Sequence, residues 1–199
     1  MFLKNLFKKP QIILTGEIYL SNNHSSFDIL TKNKPIEDEE LILLCLLVYS
    51  RILKVLSSRK EKDNLLEVYG EFYQSFKNSS NQLETINRML TFLNIISKPS
   101  RLKSKKSIKL KKFGKENVYL DMGTIMVDPL SSTVHTVFIY VFNNISNKKN
   151  KIYLLEAMTE ISSLYKKEKF TTLTQTEWPN IITKKIINYK ENLDYEISF

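Results

Sequence analysis

Residues 41–49 are apolar without interruption, running from Leu41 through Cys45 to Tyr49. An element that is apolar on every face has to be surrounded by others, so this run fixes the centre of whatever the chain folds into. Pro35 and the acids Glu37, Asp38, Glu39 and Glu40 precede it, as suits the positive start of a helix, and Arg59 and Lys60 stand where the negative end would lie. Beyond Tyr49 the apolar positions narrow to Ile52, Leu53, Val55 and Leu56. The reading is one central helix. Its apolar run is half the length of ~18 residues that a membrane span requires, so no transmembrane segment is expected.

Other periodic segments supply the elements that would surround it. Leu65, Tyr69, Phe72 and Phe76 step by four, three and four, and Leu83, Ile86, Leu90 and Leu93 follow Asn81 and Glu84, which are spaced as a capping box. Leu154, Met158, Ile161 and Tyr165 predict a further amphipathic helix, as do Trp178, Ile182, Ile186 and Tyr189 with Thr176 as cap. Residues 12–20 suggest one or two short strands with Gly16 available for a turn, and 108–110 with 118–120 a small hairpin punctuated by Gly114 and Gly123. Residues 134–142 fit a buried strand or a buried helix, and the start signal of Asp128 and Pro129 favours the helix. With 199 residues, 42% of them hydrophobic, and no internal repeat, the expected fold is a single compact domain over 1–199. Its class is mainly α, that is, α+β with a minor β element. Residues 1–9 form a short amphipathic N-terminal segment and 99–128 a basic loop or hairpin region.

Charge is distributed unevenly. The net charge is +9, and the acid-free stretch 101–115 holds Arg101, Lys103, Lys105, Lys106, Lys109, Lys111, Lys112 and Lys115, leaving about +1 for the remainder. Such a strip would attract an anionic partner. Only four of the 30 bases are arginine, and lysine lacks the bidentate fork that reads guanine, so sequence-specific DNA recognition is disfavoured. A second docking element is the N-terminal segment, where Phe2, Leu3, Leu6 and Phe7 recur at helical spacing between Lys4, Lys8 and Lys9.

Chemistry is constrained more tightly than binding. Four glycines, two distant histidines and one cysteine give no phosphate cradle and no metal-ligand spacing, so no cofactor, metal or catalytic residue is assigned. The segment from Asn23 to Asp28 resembles the histidine–aspartate motif of glycerolipid acyltransferases, but three residues separate His24 from Asp28 where that family has four. Asp121, Gly123 and Thr124 resemble the first phosphate loop of actin-like ATPases, a fold of two large lobes that 199 residues cannot build. A turn at Asp121 and Gly123, a locally capped His24 and a satisfied core His135 are the simpler readings. The lone Cys45 within an apolar run and the lysines interrupting the first nine residues point to a reducing, cytoplasmic setting without a cleavable signal. The function expected is that of a non-enzymatic interaction or structural subunit of a larger protein assembly. Non-specific binding to DNA or RNA backbone and peripheral membrane association are the alternatives.

Overall fold

The computed structural model of the chain describes residues 10–30, 35–56, 58–98, 104–113, 117–123 and 130–166. They form β1 (Gln11–Leu20), β2 (Ser25–Ile29), α1 (Asp38–Val55), α2 (Arg59–Asn78), α3 (Gln82–Ile96), β3 (Ser104–Phe113), β4 (Asn117–Asp121), α4 (Leu130–Asn144) and α5 (Lys148–Lys166). The class is the expected one, mainly α with a minor β element. The N-terminal segment and the helix expected around Trp178 lie outside the described residues.

α1 is the central helix. Every residue from Leu41 to Ser50 except Leu43 is buried, with α4, α5 and β4 packed around it. It ends earlier than its charges suggest. Leu56 leaves helical geometry at ψ 121°, and Ser58 starts a new helix by accepting from the Glu61 amide at 3.4 Å. Arg59 and Lys60 therefore open α2 and do not close α1, because a serine cap defines a start whatever charges follow it. Asn81 caps α3 as expected, with Glu84 N–H donating to Asn81 Oδ1 at 3.2 Å; the second arm of a capping box is not formed, since the Asn81 amide donates to Ser79 Oγ at 3.1 Å and Glu84 Oε2 accepts instead from Asn81 Nδ2 at 3.2 Å.

Residues 134–142 fall within helix α4, which presents Val134, Val137, Phe138, Val141 and Phe142 to the core. Its rings join those of α2. Phe138 lies 5.0 Å from Tyr69, 5.8 Å from Phe72 and 5.3 Å from Phe142 between centroids, within the range of favourable aromatic pairs.

The hairpin of β3 and β4 belongs to a larger antiparallel sheet of order β2-β1-β3-β4. Gly16 makes no turn. It lies inside β1, where the Phe27 ring of the neighbouring strand fills the space a Cβ would take. The turn falls later, at Ser21 to His24, where Ser21 N–H donates to the His24 carbonyl at 2.7 Å. Strand alternation gives the sheet an apolar inner face of Leu14, Ile18, Leu20, Phe27, Ile108, Leu110 and Val118, set against α4 and α1.

One carboxylate ties the start of α1 to the α4–α5 turn. Asp38 accepts from the Ser146 amide at 3.1 Å, the Asn147 amide at 3.1 Å, the Ser146 hydroxyl and Asn150 Nδ2 at 2.9 Å. Partial burial works to raise its pKa, but those donors outweigh it and hold the carboxyl below its ordinary value. The Asp38→Ala variant should lose about 2 kcal/mol of stability at neutral pH, since several charge-assisted hydrogen bonds go at once. Because the native pKa is depressed, this contribution is complete above the unfolded carboxylate pKa and disappears as pH falls through the native one. Urea unfolding of both proteins across that range checks it; a difference unchanged by acid would contradict the assignment.

Candidate functional site

The described part of the basic segment, 104–113, is strand β3, which pairs with β4 and lies in the interior of the sheet. β3 pairs with β1 on one side and β4 on the other, so alternation sends its side chains to opposite faces. Lys105, Lys109 and Lys111 point outward with Ser107. Lys106 and Lys112 stand on the inner side, in register with Ile18 and Val118. Lys106 feels that position, since desolvation lowers its pKa. The five described bases therefore do not form one strip. Arg101, Lys103 and Lys115 lie outside the described residues, as do Phe2, Leu3, Leu6 and Phe7.

The outer face is a mosaic of both signs. Register places Glu17 of β1 and Asp28 of β2 opposite one another, and Asp121 of β4 opposite Lys109. Lys105 Nζ reaches Glu17 Oε2 at 2.8 Å and Lys111 Nζ reaches Asp121 Oδ2 at 2.6 Å, both diagonally across strands. The hydrogen bond from Lys111, then that from the Gly123 amide, hold the Asp121 carboxyl below its ordinary pKa, with the Lys109 charge adding to them. Each such pair near the surface is worth ~0–1 kcal/mol, so stability is not what they decide. What they set is the field. Three lysines and three carboxylates share this face, with Thr15 and Tyr19 between them, and no helix among the described residues covers it.

The carboxylates are what the sequence concealed. Glu17 and Asp28 precede the basic stretch by some 80 residues and Asp121 follows it, so only the strand register brings them beside the lysines.

The remaining candidates for chemistry settle as ordinary structure. Gly123 adopts φ +63° and its amide donates to Asp121 Oδ1 at 3.1 Å, which makes the expected turn. His24 is held by Ser21, whose Oγ accepts from the His24 amide at 3.1 Å. Cys45 is buried, and desolvation pushes its thiol pKa up, so it behaves as a small hydrophobe. Among the described residues no cluster of His, Cys, Asp or Glu could hold a metal ion, and no helix is long and apolar enough to cross a membrane. The chain matches no known family model, no curated protein and no solved structure.

Proposed function

We propose that this protein is a non-enzymatic interaction subunit of a larger assembly, and that it docks on a partner protein through the outer face of its sheet. The observation that carries this reading is the pairing of the β3 lysines with Glu17 and Asp121 across strands on a face that no described helix covers. A polyphosphate laid on that face would meet Glu17, Asp28 and Asp121 as well as the lysines, and repulsion would offset much of the attraction. A protein surface of alternating sign fits it instead, because opposed mosaics fix register and reject wrong partners. Lys105, Lys109 and Lys111 are the cationic contacts, and a reducing compartment such as the cytoplasm suits the buried Cys45.

The test compares partners recovered from the native source by the natural protein and by a Lys105→Glu/Lys109→Glu/Lys111→Glu variant with unchanged circular dichroism. Recovery of the partner at least tenfold lower with the variant is the expected result. Equal recovery would remove the sheet face from the interaction.

A further inference from the structure

The outer face of the sheet divides into two unlike halves. Every described lysine on it stands on β3, whereas residues 11–30, which hold β1 and β2, contain no lysine or arginine. The β1–β2 half carries Glu17 and Asp28 directly opposite one another. Like charges in that relation repel. Lys105 attends to Glu17 at 2.8 Å, and Asp28 has no ion pair among the described residues.

The same half holds the exposed apolar side chains of the sheet. Ile12 is 49% exposed and pairs with Lys111, which places it on the outer side. Leu30 is 47% exposed, and its amide donates to the Thr15 carbonyl at 2.8 Å, so the β1–β2 register extends one step and sets Leu30 in the outer row of Thr15. Three strand residues, about 10 Å, separate the rows of Ile12 and Leu30.

The chain reaches this half from residues 1–9, through Pro10 and directly into β1 at Gln11. That segment is the complement of the surface beside it. It has Phe2, Leu3, Leu6 and Phe7, three lysines and no acid, against a surface with two exposed apolar side chains, two acids and no base. Nine helical residues span about 13 Å, enough to cover both apolar rows, and a helix ends before a proline such as Pro10, where the chain is free to reverse.

We infer that residues 1–9 are a strap that folds back over the β1–β2 half of the outer face and closes it to other molecules. Leu6 and Phe7 cover Ile12, Phe2 and Leu3 reach Leu30, and Lys4 pairs with Asp28. The β3 lysines do not oppose it: Lys105 and Lys111 are bound to Glu17 and Asp121, Lys109 stands opposite Asp121, and all three lie across β1 from β2. Attachment at Pro10 gives the segment an effective concentration on the order of millimolar, so a contact too weak to hold a separate peptide still closes. The four apolar anchors are thereby used on the chain's own sheet and not on a partner's groove. The strap stands whether or not a partner docks on the lysine half.

The test is limited trypsin digestion of the folded full chain at low salt, read by mass spectrometry, with a synthetic peptide of residues 1–12 giving the rate of an unhindered segment. Cleavage after Lys4 should be about tenfold slower in the protein than in the peptide, because cutting follows the population of the open form. An Ile12→Ser/Leu30→Ser variant, altered only at exposed positions and with unchanged circular dichroism, should lose most of that protection. Asp28→Asn should lose part of it, as should the natural protein in high salt. A Leu3→Ser/Phe7→Ser variant breaks the contact from the other side without altering the sheet, and should be cut as fast as the peptide. Cleavage of the natural protein at the peptide's rate, or protection that survives in both the face and the segment variants, would overturn the proposal. Protection that disappears on dilution would place the segment on a second copy and overturn it as well.

Discussion

Replacing Phe138 with alanine should cost about 4 kcal/mol, a large share of the 5–15 kcal/mol that holds a typical domain together. The ring is fully buried on α4 and packs at 5.0 Å from Tyr69, 5.8 Å from Phe72 and 5.3 Å from Phe142. Truncation leaves a cavity bordered by three other large rings that cannot all collapse into it, so lost transfer energy and lost packing add. Phe92 supplies the comparison, since it is 45% exposed on α3 and its alanine variant should cost less than about 1 kcal/mol. Urea unfolding of the three proteins separates the cases. A Phe138→Ala cost as small as that of Phe92→Ala would mean that α4 is not the wall of the core.

Acid should destabilise the protein through His135 well before most carboxylates protonate. Burial drives the imidazole pKa from 6.5 down to about 4, so the native state keeps it neutral while the unfolded chain takes up a proton. The sign follows from that difference. Above pH 6.5 both states are neutral and the group contributes nothing; below it, stability falls by about 1.4 kcal/mol per pH unit, reaching about 3 kcal/mol near pH 4. A His135→Gln variant retains a group able to accept from Tyr69 and has no proton to gain. The stability of the natural protein minus that of the variant should therefore shrink by about 3 kcal/mol between pH 7 and pH 4. A difference that stays constant over that range would mean that His135 titrates normally and is not enclosed.

The helices were legible because their signals are local. Acids before Leu41, the Asn81 and Glu84 pair, and the steps from Leu65 to Phe76 each lie within about three helical turns, and each marks a helix that forms. The helix at 134–142 could not be separated from a strand by periodicity, since a buried element is apolar on most faces in either form. β2 was missed for the opposite reason. It has five residues, and Phe27 is its only fully buried one, too little alternation to read. β3 was recognisable only at Ile108 and Leu110, although its lysines obey the same period of two, because charge hid the pattern. The expected break at Gly16 failed because what that glycine accommodates, the Phe27 ring, arrives from another strand.

The sites were less legible than the fold. A run of bases in the sequence implies one field, but a strand divides it between two faces and its neighbours bring carboxylates that no local window contains.

The matching of β3 lysines by carboxylates is tested most directly by titrating a fluorescent duplex DNA at low salt with the natural protein and with a Glu17→Gln/Asp28→Asn/Asp121→Asn variant. The natural protein should give no saturable binding, and the variant, its lysines released, should bind with an affinity that falls steeply as salt is added. Saturable binding by the natural protein, with a slope of log affinity against log salt of roughly −3 or steeper at about 0.9 per phosphate contact, would contradict the account.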